Sequence, residues 1–254
     1  RSDRQSSSGY YGESDGSRMY GHGITTLMLA EMLGMAADPQ QDLLIRDRLK
    51  KALDLILRSQ RSGKDGPYRG GWRYTPDSRD ADLSITVWQV MALRAAKNAG
   101  MEVPKEAIDE AVEYMKRSYA PTEKRDRGEP VGAFTYQPLR RDPTYSTAAE
   151  GLLAMMVCGQ YEAIETRGAA EWLRRLGVPR DHEWFYYGTY YYAQGMYQRG
   201  GGYAQDARRR TAEALLPRQE RDGSWRAGVH EQSAGKVYAT SMAILSLSVK
   251  HHFL

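Results

Sequence analysis

The chain has 254 residues, with 36 Lys+Arg against 32 Asp+Glu and a single cysteine, Cys158. A net charge of +4 with acids interleaved among bases, as in Arg46-Asp47-Arg48-Leu49-Lys50-Lys51, argues against a nucleic-acid surface. One cysteine excludes an internal disulfide framework, and no run approaches the roughly 18 consecutive apolar residues of a membrane span.

Residues 1–18 are rich in serine and glycine and read as a flexible N-terminal loop. The chain begins at Arg1 rather than methionine, which reads as a fragment or processed form whose true N-terminus, and any targeting signal, is missing. Residues 19–254 are expected to form one domain in which two kinds of helix alternate. The first kind is apolar nearly all round: 20–35, 83–99, 144–160, 184–198 and 236–250. The second is charged and amphipathic: 41–60, 104–118, 162–176 and 204–220. A helix apolar on every side must be buried on every side, whereas an amphipathic one keeps a wet face. About five inner helices surrounded by four to five outer ones satisfy both demands. The expected fold is therefore all-α, an incomplete α/α toroid.

A repeat supports this. Thr25, Thr86, Thr147, Thr189 and Thr240 are separated by 61, 61, 42 and 51 residues, and each leads an apolar run. The inner helices are expected to begin near these threonines. Glycine–aromatic turns precede three of them, at Gly70-Gly71-Trp72, Gly132-Ala133-Phe134 and Gly223-Ser224-Trp225, while the joint from Gly177 to Trp184 departs from the pattern.

Gln219-Glu220-Arg221-Asp222-Gly223-Ser224-Trp225 resembles the QW repeat of squalene-hopene and oxidosqualene cyclases, whose α/α toroid is shared with protein prenyltransferase β subunits. Gln60 ahead of Gly71-Trp72 looks like a stretched copy. The resemblance implies a structural staple, with glutamine capping a helix end and tryptophan packed beside it at the outer surface. It runs across most of residues 19–254. A second segment, Asp80-Ala81-Asp82-Leu83-Ser84-Ile85-Thr86, resembles the D-x-D-D-T-A acid motif of class II terpene cyclases, in which the middle aspartate protonates an alkene or epoxide. Asp82 takes the middle place and Asp80 the first, but Leu83 stands where the third aspartate belongs.

Two readings of Asp82 stand at this point. As a catalytic acid it needs a carboxyl kept protonated by burial beside a cavity with aromatic faces. As the N-cap of an inner helix it accepts backbone N–H bonds, which lowers its pKa. Asp82, Thr86 and Gln89 share a helix face at i, i+4, i+7. Glu150 is a carboxylate inside an apolar helix and must be paired, protonated or facing a wet cavity. If the inner helices are parallel, Asp82, Gln89, Glu150, Tyr145, Tyr187 and Tyr238 gather at one mouth. Asp80 joins the acids there, and Trp88, Tyr192 and His22 join the ligand-facing set. The expected ligand is an apolar or isoprenoid small molecule. Two alternatives remain: a non-catalytic toroid that binds a ligand or a protein, and a carbohydrate-active toroid with Asp82 and Glu150 flanking a sugar.

No cofactor is expected. The prenyltransferase-type zinc position carries Thr144 in place of cysteine, and His22, His182, His230, His251 and His252 show no metal-binding spacing. Cys158 reads as a small buried side chain.

Overall fold

The computed structural model describes residues 4–35, 37–124 and 130–251. Residues 1–3 of the N-terminal loop and His252 lie outside them. Nine α-helices are found among the described residues, and they alternate in kind as expected. The apolar ones are α1 (Arg18–Met32), α3 (Leu83–Asn98), α5 (Tyr145–Val157), α7 (Phe185–Arg199) and α9 (Gly235–Leu247). The charged ones are α2 (Pro39–Gln60), α4 (Lys105–Arg117), α6 (Ile164–Leu176) and α8 (Gly201–Leu215). Each charged helix packs on the apolar helix before it, giving the pairs α1·α2, α3·α4, α5·α6 and α7·α8. Burial follows kind in part: apolar α3 buries twelve of its residues and charged α8 only Ala207, Thr211 and Leu215, but apolar α9, expected to be buried on every side, buries only Ala239, Ala243 and Ser246.

Local chemistry sets the helix starts. Asp38 caps α2, its carboxylate accepting from the Gln41 N–H at 2.8 Å, with Pro39 in the first turn where a missing N–H costs nothing. Thr144 and Thr147 form a capping box at the start of α5. The threonine repeat marks these starts unevenly. Thr86 and Thr147 lie in the first turn of α3 and α5, but Thr25 is the eighth residue of α1. There the buried threonine is Thr26, whose hydroxyl donates to the His22 carbonyl at 2.7 Å.

The Cα packing groups the chain into two compact units. One holds residues 1–118 with 137–139, and the other holds 119–136 with 140–254. In the first, α1 packs on α3. The loop ahead of α1 is irregular but pinned to α2, through Gln5 Nε2 to the Arg48 carbonyl at 2.9 Å and Arg58 to the Ser8 carbonyl at 3.2 Å. In the second, α7 packs on α5, α8 and α9. That unit also holds a feature the sequence pattern did not announce, an antiparallel hairpin of β1 (Tyr119–Lys124) and β2 (Pro130–Phe134) with its register shifted between Pro121 and Glu123.

Candidate functional site

In the first unit Asp82 caps α3. Its Oδ1 accepts from the Ile85 N–H and the Ser84 hydroxyl, each at 2.8 Å, and its Oδ2 from Arg73 Nη1 at 2.7 Å. The residue has no exposed surface. Burial pushes its carboxyl up, and the Ile85 amide, the Ser84 hydroxyl and the Arg73 guanidinium each pull it back, leaving it raised. The cap was expected to lower it; desolvation outweighs the cap. Arg73 also reaches Asp80 at 3.3 Å through Nε and stacks 4.6 Å from the Tyr74 ring. Because the Ser84 proton goes to Asp82, the Tyr20 hydroxyl donates to Ser84 Oγ at 2.7 Å, which ties α1 to the cap of α3. Lys64, buried nearby, donates to the Ser59 carbonyl; burial pushes its ammonium down to about 8 against the pull of Asp80 and Asp77.

Gln89 and Trp88 are buried on α3. Gln89 Nε2 donates to the Met19 carbonyl on α1 at 2.8 Å. The crossing is close enough that a Cβ on Gly23 would sit 2.7 Å from Gln89 Nε2 and 2.9 Å from Trp88 Cβ, so only glycine fits. His22 is fully buried, accepting the Tyr11 N–H at Nδ1 (3.3 Å) and donating from Nε2 to the Ala52 carbonyl (3.1 Å). Burial pushes its pKa down to about 4 against the Ala52 bond, so the ring is neutral at pH 7. One face of α1 is open: Ile24, Met28 and Met32, at i, i+4, i+8, are each a little over 40% exposed.

The second unit holds the other expected residues. Glu150 is buried in α5, 1% exposed. Tyr145 is buried with its ring 5.7 Å from Tyr192 and 5.4 Å from His182. Burial raises its hydroxyl well above the usual range, with the neighbouring Thr189 pulling the other way. The Tyr145 ring packs against Gly188 of α7, next to Thr189. The approach is tight, since a Cβ on Gly188 would lie 2.7 Å from the Tyr145 ring. Tyr192 is buried, and burial pushes its hydroxyl up to about 12, with Arg210 of α8 pulling it down.

Tyr187 and Tyr238 meet at a residue that sequence reasoning missed. Glu231 accepts from the Tyr187 N–H at 3.0 Å, the Tyr186 N–H at 3.1 Å and the Tyr238 hydroxyl at 3.2 Å. No periodicity announces it, because it sits in a short 3₁₀ segment, Val229–Ala234, between two glycines. Arg73 also went unread. Its only signal was its place between a glycine–aromatic turn and an aspartate pair.

Among the described residues no group of three or more His, Cys, Asp or Glu side chains is arranged to hold a metal ion, and no helix is long and apolar enough to cross a membrane. Thr144, at the prenyltransferase-type zinc position, serves as a helix cap.

No family model and no curated protein matches the sequence. Among solved structures the chain is similar to the type II terpene cyclase MstE from Scytonema, a variant in complex with geranylgeranyl dihydroxybenzoate as substrate. The two share 14% identity with a TM-score of 0.51 over 88% of this chain and 61% of that one. The fold is therefore all-α and terpene-cyclase-like, of the α/α toroid kind. The chain spans about three fifths of the length of the cyclase it matches.

Proposed function

We propose that this chain binds an apolar, isoprenoid-like molecule and does not cyclise it by protonation. The observation that carries the second half is the environment of Asp82. A Brønsted acid must touch its substrate. Asp82 has no exposed surface, and both its oxygens are engaged by protein donors, one of them the Arg73 guanidinium. Its raised pKa is one property an acid needs, but it comes from burial that also removes the carboxyl from any ligand.

Two things support the first half. The cyclase of like fold holds a geranylgeranyl substrate. On α1, a helix whose sequence is apolar nearly all round, the Ile24, Met28 and Met32 stripe is open, and methionine suits an irregular apolar chain. The carbohydrate reading needs carboxylates that meet a sugar; Asp82 and Glu150 are both buried. Equilibrium binding of geranylgeraniol to the chain and to Met28→Glu tests the ligand. Placing a charge in the stripe is expected to weaken binding about tenfold or more, roughly 1.4 kcal/mol, with an unchanged thermal midpoint. No binding to the unaltered chain, or equal affinity of the two, refutes the reading.

A further inference from the structure

Between Arg226 and α9 the chain runs through Gly228, a six-residue 3₁₀ segment and Gly235. Of residues 229–234 only Glu231 is buried; Val229, His230, Gln232, Ser233 and Ala234 are all exposed, Val229 by 77%. Gly235 has φ +80°, a conformation costly for any residue with a Cβ, so the segment ends on a joint that only glycine adopts freely. The buried carboxylate bonds across 45 and 44 residues to the second and third N–H groups of α7 and, nearer by, to the Tyr238 hydroxyl. A carboxylate suits a helix amino end, where the N–H groups lack intrahelical acceptors and the helix dipole favours negative charge.

We propose that residues 229–234 form a strap, hinged at Gly228 and Gly235 and latched by Glu231 onto the amino end of α7, which opens without unfolding that helix. A segment with one buried side chain has little apolar burial to hold it closed, so its opening free energy rests on that latch and on the exposed His230 Nδ1–Glu183 Oε1 contact of 3.5 Å. Opening uncovers the Tyr186 and Tyr187 amides and releases the Tyr238 hydroxyl. The strap therefore controls access to the edge where Tyr187 and Tyr238 meet. This inference is independent of what the α1 stripe binds.

Hydrogen–deuterium exchange on the whole chain tests it. In the unaltered protein, residues 229–234 and the Tyr186 and Tyr187 amides are expected to show one common protection level, lower than that of residues 190–197 inside α7. Glu231→Gln replaces one acceptor oxygen with an N–H donor facing backbone donors. It is expected to speed exchange at both places about tenfold or more while leaving 190–197 and the thermal midpoint unchanged. Different protection levels at the two places in the unaltered protein would overturn the strap, and that comparison stands even if the variant does not fold. Acceleration that spreads equally through 190–197 would overturn it too, making Glu231 a staple of the whole helix.

Discussion

The backbone N–H of Trp72 donates to Thr86 Oγ1 at 3.0 Å, and the same bond recurs between Trp225 and Thr240 at 3.0 Å. A third version joins Thr147 Oγ1 to the Phe134 carbonyl at 2.9 Å. The repeat therefore has a physical cause. The threonine hydroxyl is short enough to stay within the first turns of its helix and polar enough to satisfy the backbone of the aromatic turn that leads into it. Thr86 also donates to the Asp82 carbonyl at 2.6 Å, so its hydroxyl is used twice. Thr86→Val keeps the shape and strands the buried Trp72 N–H, an expected loss of about 1–3 kcal/mol. Thr240, half-buried, should lose less on the same change. Chemical denaturation of both variants checks the order, and equal, negligible losses would show that the repeat is not a fastening.

Trp225 is 3% exposed, and its indole N–H donates to the Leu215 carbonyl at 2.8 Å, at the end of α8. Trp72 does the same to the Ile56 carbonyl of α2 at 2.8 Å. Each ring thus closes the end of the preceding charged helix. Trp225→Ala is expected to cost about 3–5 kcal/mol by leaving a cavity. If it lowered ligand affinity and left the melting temperature untouched, the ring would belong to a binding surface instead.

The alternation of helix kinds was readable because burial on all sides or on one side writes a different pattern into sequence. The threonine repeat mis-marked the start of α1, where Thr26 and not Thr25 is the buried residue, although the apolar run from residue 20 lies within two residues of it. The β1–β2 hairpin escaped because Pro121 and its charged neighbours break any alternation. At the site, Asp82 was visible from its motif, but its partner Arg73 lies nine residues away in a loop, where no periodicity links the two. Glu231 was invisible for the same reason, being joined to α7 only by tertiary structure.

The two roles of the Asp82 carboxylate separate by mutation. Asparagine still caps a helix but cannot neutralise Arg73, while alanine does neither. Asp82→Asn is expected to cost about 1–3 kcal/mol because Arg73 loses its nearer carboxylate while keeping Asp80, and Asp82→Ala about 1 kcal/mol more through the lost cap. Urea midpoints measure both. A neutral Asp82→Asn would show that the ion pair with Arg73 contributes little.

His22 predicts an acid-side loss of stability. Above pH 6.5 its ring is neutral whether the chain is folded or not. Between 6.5 and about 4 the unfolded chain takes a proton that the buried ring refuses, so stability falls as pH falls through that window. The full effect is about 3 kcal/mol, from roughly 1.4 kcal/mol per pKa unit. Asp82, raised in the fold, acts in the opposite sense, binding its proton more readily when folded, so the His22 contribution has to be read by difference. His22→Gln should flatten the stability profile between pH 6.5 and 4. Parallel profiles for variant and parent would mean that the ring titrates normally.

The central claim is that an apolar ligand is held without being protonated. The direct measurement is mass spectrometry of a linear isoprenoid, geranylgeraniol, recovered after incubation with the protein in D2O. A cyclase that starts by protonating an alkene delivers solvent deuterium to carbon. The account predicts recovery of the linear molecule with no carbon-bound deuterium. A cyclised, deuterium-bearing product that disappears with Asp82→Asn would contradict it and return Asp82 to the role of acid.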